Sequence, residues 1–430
     1  MASNPFFEGD IGGQAATLID ALAETPITRP PPELAIDIGR PGRQMCVYPA
    51  RAGYDLQTEL DFLANRMIEP NVFFTGRFLA PAMPRLDDRQ VRLLLIRDEA
   101  PGRSRLRMVM PFSIERPGFS VGPSIIRAWS HPFGPLGTPL VDAEGAAETL
   151  DNFLEALAGD DTQMPNVLVL PDMRIDGPAA ELLRAVALAR GLTVETTEAV
   201  DRPVLRSSEE PERYLRGAIS GRHLKDMRRQ WRHLAAQGTL VHKVARQPLD
   251  VRIGLEQFLA LEASGWKGQR RSAMVSDRYR AAFAREAVTN QAENDNARIH
   301  VLEFDGRAIA VMVVFVIAGQ AFTWKTAYDE RFAASSPGKL LFWKLTEQHL
   351  DDPNIQMTDS CAVPDHPIAS RLWEERERMA TMIIGLDGKA DRQVRQVARQ
   401  LHLYRNTRNV ARILRERVRA LARRKSAAKN

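Results

Sequence analysis

The 430-residue chain has little of what secreted or membrane-spanning proteins contain. Its two cysteines, Cys46 and Cys361, are too few for a disulfide framework. The longest apolar run, 308–318, is far shorter than the roughly 20 residues that cross a bilayer. The N-terminus lacks a basic segment followed by an apolar stretch, and no Cys/His spacing is typical of a metal site. We therefore expect a cytoplasmic protein with no transmembrane segment and no metal.

Positive charge is concentrated at the C-terminus. Residues 391–430 contain 13 Lys or Arg and two acidic residues, a net charge of +11, which leaves −6 on the other 390 residues. Apolar residues including Val394, Val397 and Leu401 recur there at helical spacing. The pattern predicts a basic amphipathic helix. Such a helix either docks on the domain formed by the second half, with a solvated arginine face, or offers a surface to an anionic membrane, nucleic acid or an acidic partner.

The length of the chain favours two domains. The first half is predicted to contain strands at 92–97 and 105–115, a helix at 145–157, a strand at 166–173, a helix at 177–189 and a strand at 192–197. This order resembles that of the second half, which indicates an internal structural duplication without obvious sequence identity. The polar, proline-containing stretch 196–212 is predicted to connect the halves.

The second half contains the clearest strand pattern. Segments 298–307, 308–319 and 320–328 are rich in β-branched and aromatic residues, and the turn signals Asp305-Gly306 and Ala318-Gly319 separate them. Three antiparallel strands follow from this pattern. A strand at 239–244 and two helices within 255–284 are predicted before them.

A helix is predicted to begin directly after the third strand, at Ser336 or Pro337. The first turn of a helix exposes unpaired N–H groups and a partial positive charge, so a turn of small residues there is suited to bind a phosphate. A strand at 355–362, a helix at 366–379 and a strand at 381–386 complete the predicted unit.

The order of these elements over 224–386 resembles the GNAT acyltransferase superfamily. Within it, the chain is most similar to the CelD-like acetyltransferases of polysaccharide synthesis, which are related to the Fem aminoacyl transferases. The resemblance rests on four segments: 224–234 before Gln237-Gly238, 261–268 (LEASGWKG), 336–339 (SPGK), and Asp359 ahead of 372–376 (LWEER).

The resemblance implies an α/β (α+β) fold of tandem GNAT-like domains, each a mixed, mostly antiparallel sheet flanked by helices. We assign 1–40 to an N-terminal extension, 41–205 to a degenerate GNAT-like domain, 206–390 to the acyltransferase domain and 391–430 to the basic helix. The resemblance also implies transfer from acetyl-CoA or another acyl-CoA to a small polar or sugar-like acceptor.

The phosphate loop departs from the family pattern. After its Gln or Arg, here Arg331, the superfamily usually has glycine at the place of Ala334 and glycine or alanine at the place of Ser336. A Cβ limits how closely a phosphate approaches the backbone. The donor site is expected at Ser335, Ser336, Gly338 and Lys339, although Gly338 is equally consistent with a plain turn and Lys339 with a solvated lysine.

The catalytic candidates are Asp359, Tyr328 and Lys325. A lysine in a strand suited to burial needs a partner or a function, and Asp359 is the expected partner, acting either as general base or in a structural salt bridge with Lys325. Tyr328 is a candidate proton donor to the leaving thiolate, or a cross-strand packing residue.

The resemblance places Trp266 and Lys267 in the loop that covers the acceptor, although core packing also explains Trp266. His131, in a Gly/Pro-rich loop of the first half, and His366, at a predicted helix start, are further acceptor-site candidates with structural alternatives. Two other functions stay open: Fem-like transfer from an aminoacyl-tRNA, and a non-catalytic GNAT-fold scaffold.

Overall fold

The computed structural model describes residues 29–87, 90–118, 122–405 and 407. They form one large mixed sheet with helices on both faces, and the predicted fold class is confirmed. The strands are β1 (Leu34–Asp37), β2 (Arg43–Pro49), β3 (Arg92–Ala100), β4 (Arg103–Glu115), β5 (Ile125–Ala128), β6 (Leu140–Val141), β7 (Val167–Arg174), β8 (Val194–Leu205), β9 (Leu240–Ala245), β10 (Ala297–Phe304), β11 (Arg307–Ile317), β12 (Gln320–Tyr328), β13 (Met357–Asp359) and β14 (Arg376–Gly385).

The helices lie before, between and after these strands. They are α1 (Gln57–Ala64), α2 (Gly76–Leu86), α3 (Ala146–Ala158), α4 (Pro178–Ala189), α5 (Pro211–Ala218), α6 (Gly221–Ala235), α7 (Pro248–Ser264), α8 (Trp266–Gln269), α9 (Arg278–Glu293), α10 (Pro337–Asp351), α11 (Ala369–Leu372) and α12 (391–405).

The two halves of the chain repeat the same strand order. In the first, β2, β3, β4 and β5 are antiparallel neighbours, and β5 then pairs in parallel with β7. In the second, β9, β10, β11 and β12 are antiparallel neighbours, and β12 pairs in parallel with β13. The topology thus repeats, as the sequence predicted, and the hairpin strands β10, β11 and β12 lie where the turn signals placed them.

The halves exchange their last strands. Strand β14 of the second half pairs with β7 of the first, and β8 of the first half pairs with β13 of the second, through Val204 opposite Asp359. Strands β8 and β14 also pair with each other, so the sheet is continuous. The predicted connection 196–212 is therefore wrong over 196–205, where β8 runs through the middle of the sheet. Pro203 and the charged residues near it are typical of a loop, so the sequence did not predict this strand.

The helix predicted at 366–379 is also wrong. A single helical turn, α11, is followed by β14 from Arg376 onward. Glu377 and Met379 are buried, whereas Arg376 and Arg378 are exposed, which is the alternation of a strand. The charged run around Arg376 looks helical in sequence, but its period is two.

One hydrophobic core joins the halves. Helices α1 and α2 share it with α7 and α9, and Phe78 makes edge-to-face contacts with Phe283 at 5.3 Å and Phe315 at 5.9 Å between ring centroids. Helices α3 and α4 cover the opposite face of the first half, and α5, α6 and α10 that of the second.

Helix α12 confirms the predicted amphipathic helix over 391–405; residues 406 and 408–430 lie outside the described part. Val394, Val397 and Leu401 pack against Ile125 and Val167. The helix therefore docks on β5 and β7 of the first half and on β14, which comes from the second half, where a docked helix was expected.

Candidate functional site

A cavity of about 450 Å³ lies where the ends of α7 and β12 meet the start of α10. We call it the main cavity. Its walls comprise Leu261, Glu262, Gly265, Trp266, Lys267, Met312, Thr326, Ala327, Tyr328, Glu330, Gly338, Phe342, His366, Pro367 and Ile368. Five of the predicted site residues are thus brought together from four segments of the chain: Trp266, Lys267, Tyr328, Gly338 and His366.

A bulge in β12 shapes the strand before it reaches the main cavity. Val313 pairs with Lys325 and Val314 with Thr323, so Trp324 is the extra residue. Trp324 Nε1 donates to Phe133 O at 2.7 Å and Lys325 Nζ donates to Pro132 O at 3.1 Å. The bulge therefore attaches β12 to the 131–135 loop of the first half.

The start of α10 forms another wall. Ser336 is in the left-handed region (φ 51°) and Pro337 opens the helix, as predicted. A Cβ on Gly338 would lie 3.4 Å from the Tyr328 ring, so a larger side chain there would enter the cavity. Ser335 ends a 3₁₀ helix, Glu330–Ser335, that occupies the loop. Neither serine lines the main cavity, and Lys339 lines an adjoining one.

Glu262 is a site residue that the sequence reasoning did not single out. Its side chain is buried, and its carboxylate accepts hydrogen bonds from Lys267 Nζ and Met274 N, both at 2.7 Å. Both carboxylate oxygens therefore have a hydrogen-bond donor. The signal in the sequence was a glutamate within the apolar stripe of a helix.

His366 is held in one tautomer by the turn that follows it. Its Nδ1 accepts from the backbone N–H groups of Ile368 (3.4 Å) and Ala369 (3.1 Å). Burial lowers the pKa of His366. The neutral ring therefore carries its proton on Nε2 and is a donor rather than a base.

The rim of the main cavity is polar and half-open. Trp266 is 46% exposed and lies under the Arg270 guanidinium, 4.9 Å from its ring centroid. The backbone N–H of Trp266 donates to Glu330 at 2.8 Å. Tyr328, 39% exposed, presents its ring to the same space. Trp266 is therefore not a core residue, which was the alternative expected for it.

Lys325 does not pair with Asp359. Its ammonium lies 4.4 Å from the centroid of the Phe133 ring, and burial lowers its pKa to about 8, with the nearby charge of Lys267 adding to the effect. The expected Lys325–Asp359 salt bridge is therefore wrong, because the bulge turns the lysine toward the first half.

Asp359 is completely buried between the halves. Its carboxylate lies 3.1 Å from Arg174 Nη2 and 3.3 Å from Arg202 Nη1, and it accepts from Cys361 N at 2.7 Å. Burial raises the pKa of Asp359, but Arg202 and Arg174 outweigh that effect and hold it below its usual value. A buried carboxylate with this pairing is suited to clamp β7, β8 and β13 together, and is poorly suited to accept a proton.

His131 belongs to the first half and does not line the main cavity. Its ring stacks between Trp129, at 5.9 Å, and Phe133, at 5.4 Å. Its Nδ1 accepts from Phe133 N at 3.1 Å. The structure thus places His131 in the loop that Lys325 contacts, behind the cavity wall.

The described residues contain neither a metal-binding cluster nor a membrane-spanning helix. No group of three or more His, Cys, Asp or Glu in this part of the chain is arranged to hold a metal ion. No described helix has both the length and the apolar composition that a membrane crossing needs.

Part of the second half is similar to a known protein family. Residues 221–362 match the family model described as Acetyltransferase (GNAT) domain, which covers less than half of the chain. No curated protein matches the chain. Residues 221–362 are thus similar to a GNAT acetyltransferase domain, and this match does not distinguish a CelD-like acetyltransferase from other members of that family.

Solved structures with a similar fold span both halves. FemX is 9% identical, and the match covers 79% of this chain and 98% of that chain with a TM-score of 0.51. The C-terminal domain (DUF2156) of a putative lysylphosphatidylglycerol synthetase from Agrobacterium fabrum is 12% identical (81% and 95% covered, TM-score 0.49). A tandem GNAT protein from the clavulanic acid biosynthesis pathway is 13% identical (80% and 99% covered, TM-score 0.38).

Proposed function

We propose that this chain is an acyltransferase that moves an acyl group from acyl-CoA, such as acetyl-CoA, to an amine or hydroxyl of a small polar or sugar-like acceptor. The observation that carries the proposal is the main cavity. It places a buried carboxylate (Glu262), a phenol (Tyr328) and the first turn of a helix (Gly338) around one space of ligand size.

The donor is assigned to the side of the cavity formed by β12 and α10. The first turn of α10 offers the Gly338 N–H and the positive end of the helix dipole, which favour a phosphate-bearing thioester; Pro337 has no N–H, and Lys339 N donates to Ser336 O at 2.9 Å. Gly338 leaves room for it beside Tyr328. The acyl end then points toward Glu262 and Lys267.

The acceptor is assigned to the rim formed by Trp266 and Glu330. An aromatic face beside carboxylate and lysine groups suits a sugar-like or amino-sugar molecule, whose apolar ring face packs while its hydroxyls form hydrogen bonds. A role in polysaccharide or cell-envelope synthesis, by a cytoplasmic enzyme, is part of this proposal.

The chemical step requires no covalent enzyme intermediate. The acceptor nitrogen or oxygen attacks the thioester carbonyl, Glu262 takes the acceptor proton, and the C–S bond breaks as the new C–N or C–O bond forms. Tyr328 donates its phenolic proton to the leaving thiolate, and the Nε2–H of His366 is available to the oxyanion. Asp359 and Lys325 act as positioning residues: they hold β13 and β12 against the first half.

The test is calorimetric titration of the full chain with acetyl-CoA, beside two glycine variants. Gly338→Trp fills the wall of the main cavity, whereas Gly388→Trp adds the same side chain where nothing lies within 4 Å of a new Cβ. We expect binding by the wild type and Gly388→Trp, and at least about a tenfold loss in Gly338→Trp. Thiol release in an acceptor screen of amino sugars would then identify the reaction.

Equal binding by both variants would show that the donor lies elsewhere. No binding by the wild type would overturn the acyl-CoA donor and leave the aminoacyl-tRNA or scaffold function.

One observation weakens the coenzyme A assignment and leaves the aminoacyl-tRNA alternative to be tested. The loop before α10 is wound into the 3₁₀ helix Glu330–Ser335, and the Glu330 carboxylate is fixed beside it by Trp266 N. A negative charge next to the expected diphosphate position weakens a coenzyme A site. Transfer RNA binding would fall steeply between low and physiological salt; a flat salt response would exclude it.

A further inference from the structure

A cationic surface borders the main cavity, on the segment that joins α7 to α9. Residues 266–280 contain five Lys or Arg and one acidic residue, Asp277, a net charge of +4. Six exposed side chains of this segment make up what we call the rim surface: Arg270, Arg271, Val275, Arg278, Tyr279 and Arg280. None of them takes part in the acyl transfer proposed above, which leaves their exposure unexplained.

The rim surface is attached to the wall of the main cavity. Ser272 N and Ala273 N donate to Lys267 O at 2.8 and 3.2 Å, and Met274 N donates to the Glu262 carboxylate at 2.7 Å. Lys267 and Glu262 both line the main cavity, and Ala273 and Met274 are buried. A partner that contacts the rim surface therefore lies next to the acceptor side of the cavity.

The arginines of the rim surface have little counter-charge. The Asp277 carboxylate caps α9, where it accepts two backbone hydrogen bonds at 2.8 and 3.1 Å, and it lies 3.9 Å from Arg280 Nε. Arg270, Arg271 and Arg278 form no ion pair with a carboxylate in the part of the chain that the structure describes. The rim surface is thus complementary in charge to an anionic surface.

Apolar side chains lie among these arginines. Val275 is 38% exposed and Tyr279 is 51% exposed. The Tyr279 ring centroid lies 4.7 Å from the Arg278 guanidinium, and the Tyr279 hydroxyl accepts from Arg278 Nη2 at 2.8 Å. Aromatic residues with a polar tip, next to arginines, are typical of surfaces that lie at the headgroup level of a bilayer.

The same side chains fit a nucleic acid less well than a bilayer. Single-stranded nucleic acids stack their bases on open aromatic faces. Here the Arg278 guanidinium already lies over the Tyr279 ring, and the aliphatic Val275 offers no stacking surface. A lipid headgroup region accommodates both, because it takes up apolar side chains and presents phosphates to the arginines.

We propose that the rim surface docks this protein on the anionic headgroups of a phospholipid bilayer. Arg270, Arg271, Arg278 and Arg280 contact the lipid phosphates, and Val275 and Tyr279 enter the headgroup region. Docking goes beyond the proposed function and does not depend on the acyl donor. One consequence does rest on the proposed function: a docked bilayer brings an acceptor carried by a lipid to the main cavity.

The test is co-sedimentation of the full chain with vesicles of phosphatidylglycerol and phosphatidylcholine in equal parts, and with vesicles of phosphatidylcholine alone. The rim variant combines Arg271→Gln, Arg278→Gln and Arg280→Gln. Arg270 is left in place because its guanidinium lies over the Trp266 ring, on the proposed acceptor side.

The matched control removes the same charge from another exposed surface. This helix variant combines Arg392→Gln, Arg395→Gln and Arg399→Gln on α12. Residues 406–430 are unchanged in both proteins, so the two variants have equal net charge and differ in where the charge is lost.

A second pair of variants tests the apolar contact. Val275→Ser combined with Tyr279→Ser removes the apolar side chains of the rim surface. Its control is Leu188→Ser, which replaces a leucine that is 58% exposed on α4 of the first half.

We expect the wild type to bind the anionic vesicles and not the neutral ones. The rim variant should bind at least about tenfold more weakly, because each arginine near an anionic bilayer adds to the affinity, and the helix variant should lose less than about threefold. The apolar double variant should lose about threefold or more, whereas Leu188→Ser should bind as the wild type does.

Three results would overturn the proposal. A wild type that does not bind anionic vesicles is the first. Equal weakening by the rim and helix variants is the second, since net charge alone would then account for binding. The third is binding of a single-stranded RNA, and not of vesicles, that depends on the rim arginines.

Docking and acyl transfer fail separately, because vesicle binding needs no acyl donor. If the rim variant loses vesicle binding while the wild type does not bind acetyl-CoA, docking stands and the acyl-CoA donor is wrong. If acetyl-CoA binds and Gly338→Trp abolishes it, while the rim variant sediments as the wild type does, the acyltransferase stands and docking is wrong.

Discussion

Two buried carboxylates in the second half, Asp359 and Glu262, differ in their surroundings, and we propose different roles for them. Asp359 is enclosed by two arginines at the junction of the halves, away from the main cavity. Glu262 lines the cavity and has one lysine partner, itself on the cavity wall. Because Glu262 lines the main cavity and Asp359 does not, we propose Glu262 rather than Asp359 as the base.

Exchanging each carboxylate for its amide should separate stability from catalysis. Asp359→Asn removes the carboxylate that Arg174 and Arg202 share and leaves Arg174 with Glu69 at 3.8 Å, so we expect the free energy of unfolding to fall by about 3 kcal/mol. Glu262→Gln removes the proposed base, so we expect about a hundredfold lower kcat and a smaller loss of stability. Denaturant titration and acyl-transfer assays on both variants measure this. A stable, inactive Asp359→Asn would restore Asp359 as the catalytic base.

At the scale of elements, α12 shows how a charged segment becomes part of the fold. Its arginines Arg392, Arg395 and Arg399 are exposed, while Val394 and Val397 are buried against the sheet of the first half. Docking there covers Val167 and Ile383, which would otherwise face solvent.

Truncating the apolar stripe of α12 should destabilise the protein. Val397→Ala leaves a cavity against β7, and we expect a loss of about 2 kcal/mol in the free energy of unfolding. Leu403→Ala removes a side chain that is 58% exposed on the same helix and should change it by less than about 0.5 kcal/mol. Chemical denaturation of both variants gives the comparison. If Val397→Ala lowered the free energy of unfolding as little as Leu403→Ala, the helix would not stay docked in solution.

At the scale of the whole molecule, the exchanged strands make the two halves one folding unit, and buried histidines make its stability depend on pH. His242 Nε2 lies 3.3 Å from His300 Nδ1, and His349 Nδ1 lies 2.8 Å from Thr358 Oγ1. Burial lowers the pKa of His242 to about 4 and of His349 to about 3, and it also lowers that of His300.

The unfolded chain therefore binds more protons than the native state once the pH falls below about 6.5. Above that pH these histidines do not reduce the free energy of unfolding. Below it the free energy of unfolding decreases as the pH falls toward 4, by about 2 kcal/mol at pH 5 from His242 alone. Thermal melts between pH 5 and 7.5 measure the slope. His242→Gln should reduce the slope, with His300 and His349 still contributing, whereas His233→Gln, at an exposed position of α6, should leave it unchanged. An equal slope in all three proteins would contradict the assignment.

What the sequence determined by itself is local. Alternating residues with Asp305-Gly306 and Ala318-Gly319 define β10, β11 and β12, and Pro337 defines the start of α10, because turn geometry and residue period depend on neighbours in the chain. The fold class and the duplication follow from the order of such elements.

Only the tertiary structure decided which distant segments meet. It paired β8 of the first half with β13 of the second, and β14 of the second half with β7 of the first. It also paired Asp359 with Arg174 and Arg202 instead of Lys325, and it brought Glu262 into the main cavity. Strand partners and charge pairs depend on register and burial across long stretches of chain, and neither the period nor the turns of a single segment encode them.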